Sequence, residues 1–183
     1  MKRRAINYIL CLTLGISALI WGCSPPQTLD SVEGKFTVVF PAGYPAPTKT
    51  TQLVNTEVGD INVTLYISEK SNDLCMAVFN DYPEGFAEQS DSETILNGCR
   101  NGAVGQVNGN LEKDEPYSVQ NHPGHKFYYS TNSTGQKIYG VQIILLAGDR
   151  LYQIGYLGSN KDKLNSPEVQ NFLSSFKIAE DPQ

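Results

Sequence analysis

Histidine, positive charge and long apolar runs are all scarce in this 183-residue chain, and each shortage removes a class of function. The two histidines, His122 and His125, flank one Pro-Gly pair, which leaves a serine-histidine-carboxylate triad without a well-placed base. No serine stands in a G-x-S-x-G elbow, and Ser90, Ser92, Ser130 and Ser133 are accounted for by capping and turn formation. Basic residues number 14 against 19 acidic ones, and three of the basic residues, Lys2, Arg3 and Arg4, open the chain. Beyond them 11 face 19, a net charge of −8, which argues against nucleic acid and against electrostatic adhesion to anionic lipid. The apolar run Ala5 to Ile20 is shorter than the roughly 20 residues a membrane-spanning helix needs, and Pro25 and Pro26 stop any helix beyond it.

What the start does contain is a secretory signal: a cationic tip, a short apolar stretch and small residues before Cys23. Ile20-Trp21-Gly22-Cys23 resembles the bacterial lipobox, with Trp21 as its departure from the pattern. The resemblance implies that Cys23 becomes the first residue of the mature chain and carries diacylglycerol and a fatty-acyl chain such as palmitate. Each buried methylene is worth about 0.8 kcal/mol, so two or three chains hold a folded body on a bilayer. The expected organisation is a signal peptide over 1–22, a lipidated cysteine and flexible tether over 23–33, a single domain over 34–179 and a tail over 180–183. The expected location is a bacterial membrane, on its periplasmic or lumenal face. Ser24 in place of an acidic residue is compatible with the outer membrane.

Cys11 leaves with the signal and Cys23 is modified, so Cys75 and Cys99 remain. An even pair in an oxidising compartment favours a disulfide, which in the chain-entropy model would add roughly 3 to 4 kcal/mol. Two buried free thiols are the alternative; a metal pair lacks partners at ligand spacing.

Strand signals dominate the mature chain. Lys35–Phe40 is β-branched and aromatic, and Thr48–Thr56 and Ile61–Ser68 flank Val58-Gly59-Asp60 as a hairpin. In "INVTLYIS" the apolar Ile61, Val63, Leu65 and Ile67 alternate with Asn62, Thr64, Tyr66 and Ser68, which predicts a core face and a wet face. Asp73–Pro83 is more continuously apolar and reads as a central strand. Over 90–107 the period changes: Ser90 and Glu93 suit a capping box, and Ile95, Cys99, Ala103 and Val107 define one helical face. Gly98, Gly102 and Gly105 weaken that helix by about 1 kcal/mol each relative to Ala, so close packing on the sheet is their expected reason. Leu111–Val119, Lys126–Ser130, Lys137–Ala147 and Arg150–Leu157 are further strands, the last two joined by a tight Gly148-Asp149 turn. Ser166-Pro167-Glu168 starts a final helix whose stripe is Val169, Phe172, Leu173 and Phe176. The expected fold is α+β, a mainly antiparallel sheet covered by two or more helices.

The segments "GKFTVVFPAGYP", "VFNDYP", "ILNGCRNGAVG", "HPGHKF", "GDRLYQIGYLG" and "NFLSSFKI" together resemble a widespread domain of exported bacterial proteins and lipoproteins. More distantly the chain is similar to the PsbP/Mog1-like superfamily, whose best-known members are extrinsic subunits of photosystem II. The resemblance implies a PsbP/Mog1-like fold and a non-enzymatic accessory or binding role. The Gly-Trp that often follows the first strand of the photosystem proteins is missing, so photosystem binding is not carried across.

Candidate chemistry is thin. His122 and His125, spaced H-x-x-H, could hold zinc or copper if Asp114 or Glu115 came near, although a Pro-Gly turn does not aim two side chains at one point. Asp81, Glu84, Glu88, Asp91 and Glu93 cluster before the predicted helix, where acidic groups favour its N-terminus. Tyr117, Phe127, Tyr128, Tyr129, Tyr139, Tyr152 and Tyr156 fall on strands as core, any on a wet face being available to a protein partner. The expectation is a lipid-anchored, non-catalytic binding or assembly module with an envelope-protein partner and no cofactor. A metal or small-ligand carrier using the His122/His125 region is the alternative.

Overall fold

A computed structural model describes residues 24–179, other than 57 and 134. The signal, Cys23 and the tail over 180–183 lie outside the described residues. Ten strands form two antiparallel sheets: β1 (Gln27–Ser31), β2 (Phe36–Phe40), β3 (Thr48–Thr56), β4 (Gly59–Lys70), β5 (Asp73–Asp81), β6 (Asn110–Val119), β7 (His122–Ser133), β8 (Gln136–Ala147), β9 (Arg150–Gly158) and β10 (Lys177–Ile178). The helices are α1 (Phe86–Gln89), α2 (Ser92–Gln106) and α3 (Pro167–Ser174), with a 3-10 turn at Lys161–Asn165 before α3. No helix among the described residues is long and apolar enough to cross a membrane.

The seven-stranded sheet has the order β3-β4-β5-β9-β8-β7-β6, and β1-β2-β10 form a smaller one. In β2 the alternation is strict: Phe36, Val38 and Phe40 are fully buried against the first face of the large sheet. Phe36 meets Tyr66, Phe79 and Tyr152 edge-on, with ring centroids 5.9 to 6.2 Å apart. α3 forms where its cap and stripe predict: Ser166 Oγ accepts from Val169 N, and Val169, Phe172 and Leu173 join the same core. Among the described residues, this core and the second cluster draw on the chain from Leu29 to Ile178.

The α+β expectation is overturned. Strands make up 55% and helices, with the 3-10 turn, 21% of the described residues, which are mainly antiparallel β, two sheets with three short helices rather than a sheet covered by helices. The cause lies at the two ends of the chain. Gln27–Ser31, read as flexible tether, is β1 and pairs with β2 from Gln27↔Phe40 to Ser31↔Phe36, while Lys177–Ile178 adds β10 on the other side of β2. Every second residue of "QTLDS" must meet the core, and Leu29 and Ser31 do so although the segment is polar overall. A second sheet, together with α3 and the 3-10 turn, therefore covers the first face.

α2 lies on the opposite face, over β7, β8 and β9. Leu96, Val104 and Ile95 pack there against Phe127, Tyr129, Ile144, Leu146 and Leu151. Its N-cap is Asp91, whose carboxylate accepts from Thr94 N at 3.0 Å; Ser90 and Glu93 form no capping box, because Glu93 turns to other partners.

Candidate functional site

Because α2 covers only the β9-β8-β7 half of its face, the β3-β4-β5 half stays open. Between them runs a groove of about 840 Å³, bounded by α2 on one side and by the outward faces of β4, β5 and β9 below. The alternation of β4 explains its character. Thr64, Tyr66 and Ser68 are buried under the small sheet, where Tyr66 hydroxyl lies 3.0 Å from Ser31 Oγ and Ser68 donates to Pro45 O at 2.6 Å. Of the residues expected to form the core face, Ile61 is buried, but Val63, Leu65 and Ile67 are only half-buried, and Ile61, Val63 and Leu65 line the groove. From Val63 to Ser68 the strand is inverted relative to the sequence expectation, because Ser31 of the small sheet, Pro45 O and Thr51 offer hydrogen-bonding partners that a simple apolar core would not.

The line Ile95, Cys99, Ala103 and Val107 borders this groove as well as packing on the core beneath α2. The glycines differ from expectation in the same sense: a Cβ built on Gly98, Gly102 or Gly105 would meet nothing within 4 Å, so close packing inside this chain is not their reason. Gly98 and Gly102 leave the groove wide. On the floor, Met76, Gly155 and Gln142 are opposed across β5, β9 and β8. Gly155 is required there, since a Cβ would stand 2.7 Å from Gln142 Cγ and 2.9 Å from Met76 Cε. Gln142 is only 3% exposed, and its Oε1 is a buried acceptor with no hydrogen-bond partner. Not one of the described lining residues is charged; amide side chains, Gln142 among them, and the hydroxyl residues Thr56, Tyr82, Ser90 and Thr94 supply the polar groups.

The predicted disulfide does not form. β5 sends Cys75, Ala77 and Phe79 into the first core and Leu74, Met76, Val78 and Asn80 toward the groove, whereas Cys99 hangs from α2 on the groove side. A sheet thus separates the two free thiols. Burial pushes the Cys75 thiol up to about 12. Burial also raises Cys99, opposed by its contact with Tyr82 hydroxyl at 3.2 Å, so neither cysteine has the lowered pKa that marks a thiolate nucleophile.

The histidines do not converge either. Their three-residue spacing in β7, with its period of two, sends them to opposite faces. His122 borders a polar cleft of about 550 Å³ with Lys35, Asp81 and Arg150, while His125 is buried beneath α2. His125 Nδ1 stands 2.9 Å from Asp114 Oδ1 and Nε2 stands 3.1 Å from Glu93 Oε1. Arg100 closes the network on Asp114, and Asn97 donates to Glu93 at 3.0 Å. Asp114 does approach, as the metal expectation required, but the carboxylates sit at opposite ring nitrogens and cannot share one ion with them. Among the described residues no group of three or more His, Cys, Asp or Glu is arranged to hold a metal.

The acidic cluster disperses: Asp81 chelates Arg150 through contacts of 2.6 and 2.7 Å, Asp91 caps α2 and Glu93 meets His125. Of the strand aromatics, Phe127, Tyr129, Tyr152 and Tyr156 are fully buried, and Tyr117, Tyr128 and Tyr139 pack on the edge of the first core.

No family model and no curated protein matches the chain. Among solved structures it is similar to a Pseudomonas aeruginosa protein of unknown function, PA94, with 10% identity, a TM-score of 0.37, and coverage of 76% of this chain and 85% of that one.

Proposed function

We propose that this is an exported protein, held on a bacterial membrane by acyl chains on Cys23, that acts without catalysis as a binding module through the groove between α2 and the β4-β5 face. The observation that carries the reading is the half-buried apolar strip of β4 and β5 beside an α2 flank whose glycines face open space. An ordinary core would have closed over such a strip, since burying apolar surface stabilises by about 25 cal/mol per Å². Two features support a non-catalytic role. The groove's thiol, Cys99, is held protonated by burial, and both ring nitrogens of His125 are engaged by carboxylates.

The anchor is tested by the intact mass of protein purified from membranes: a chain starting at Cys23 with diacylglycerol and acyl mass is expected, and a chain retaining Met1 or lacking fatty acid overturns it. The groove is tested with Gly102→Leu, whose side chain enters open space and should abolish binding of an apolar dye without unfolding the protein.

Assembly with an envelope protein is a second reading, favoured by the edges of the large sheet. β6 is protected by Pro116, a register shift between Leu111 and Lys113 and a run of charges, whereas β3 is exposed along Thr48–Asn55, has no proline and carries only Lys49 as charge. A proline in place of Thr51 or Leu53 should abolish a crosslink made through β3 to a partner strand; a crosslink that persists in both variants removes this reading.

A further inference from the structure

We infer that the groove takes an uncharged, elongated apolar small molecule bearing one hydrogen-bond donor, such as a long-chain alcohol, with the donor meeting Gln142. The inference rests on the groove being the binding surface and names its ligand class. Size comes first: about 840 Å³ lies inside the range of about 300 to 1,000 Å³ typical of small-molecule sites. Charge comes second. The chain is acidic overall, yet no described residue lining the groove is charged, so a carboxylate or phosphate buried there would meet no counter-ion among the described residues. A neutral ligand matches the wall on both counts.

The donor follows from Gln142. Its amide lies across Gly155, a position only a residue without Cβ leaves free, and its Oε1 is unpaired although the side chain is almost wholly buried. A buried acceptor without a partner costs stability, and leucine or methionine at this place would avoid that cost. Rotation about the last side-chain bond turns Oε1 toward the groove, where a ligand O–H or N–H satisfies it. A peptide fits less well, because the floor is a sheet face of side chains and offers no row of backbone groups to pair with a second main chain.

The probe is N-phenyl-1-naphthylamine, neutral and apolar with a single N–H, whose fluorescence rises in apolar surroundings. It is titrated into the purified full chain and displaced by 1-decanol, decanoate or methyl decyl ether. Saturable binding is expected, with 1-decanol displacing the probe at least about 10-fold more tightly than decanoate. Gln142→Met should weaken 1-decanol about 3- to 10-fold and leave the ether, which has no donor, unchanged. If decanoate equals 1-decanol, or Gln142→Met weakens alcohol and ether alike, the ligand class is wrong while the groove stands. If the probe does not bind, or binds Gly102→Leu as it binds the parent, the groove reading fails and takes this inference with it. A concentration-dependent dimer that Gly102→Leu dissociates would show that a second copy is the occupant and would overturn the small-molecule assignment.

Discussion

Cys75 and Cys99 occupy opposite faces of one sheet, Cys75 in the core beneath the small sheet and Cys99 in the wall of the groove. Thiol–disulfide pairing needs Cα atoms within about 7 Å and Cβ vectors that face each other, which a sheet between them forbids. Unfolding the chain from Ser24 onward in iodoacetamide without reductant should therefore add two carbamidomethyl groups, and dithiothreitol should leave the unfolding midpoint unchanged. In the native state Cys99, which is partly exposed, should react before the buried Cys75. A protein that resists alkylation until reduced would contradict the placement of α2.

Local signals with a single cause were legible in the sequence. Ser166, Pro167 and the Val169–Phe172–Leu173 stripe specify α3, and Gly148-Asp149 specifies the β8–β9 hairpin, because cap, period and turn chemistry act within a few residues. Three features were not legible, and each depends on a distant partner. β1 is polar and becomes a strand only because β2 presents a free edge. From Val63 to Ser68 the face of β4 is the reverse of what its hydropathy alternation implies, because buried Tyr66 and Ser68 have hydrogen-bond partners outside the hairpin and buried Thr64 has one across it in Thr51. The glycines of α2 are equally compatible, by spacing alone, with close packing on a sheet; only the three-dimensional neighbourhood shows them facing open space.

The His125 network ties α2 to the β6–β7 hairpin, and its expected role is stability. Replacing His125 by Leu removes the partner of both Asp114 and Glu93 at a site that is 5% exposed. Hydrogen bonds to charged groups are worth about 1.5 to 3 kcal/mol, so a loss of about 2 kcal/mol is expected from the urea midpoint at constant slope. Arg100→Ala should cost less on its own, and the double variant should fall short of the sum, since both residues act through Asp114.

Asp149 supplies the clearest pH signature. Its carboxylate accepts from Ala87 N at 2.8 Å and Gly85 N at 2.7 Å, and these backbone N–H groups hold its pKa below the ordinary 3.8. A lowered folded value means that the stabilisation is fully present above the ordinary value and is lost as pH falls through the folded one. Asp149→Asn keeps the shape and loses the charge. The stability gap between parent and variant should be constant near neutrality and close progressively below the ordinary carboxylate value; a gap that widened in acid would contradict the assignment. The β8–β9 turn and α1 should loosen together in hydrogen exchange, because one side chain joins them.

Glycine substitutions separate the groove wall from the sheet interior, and Gln142 then separates stability from binding. Gly102→Ala places its Cβ in open space within a helix, so a gain of about 0.5 to 1 kcal/mol is expected. Gly124→Ala would put a Cβ 2.1 Å from Ile144 O, a backbone atom of the neighbouring strand that cannot swing aside, and a loss of at least about 2 kcal/mol is expected. Gln142→Met removes a buried, unpaired acceptor while preserving an unbranched side chain against Gly155, so the ligand-free protein should become more stable by about 1 kcal/mol. A purely structural glutamine would show the opposite sign, because its replacement would remove a satisfied hydrogen bond. Higher urea resistance combined with weaker capture of a donor-bearing ligand is the pattern of a residue retained for binding at a cost to the fold.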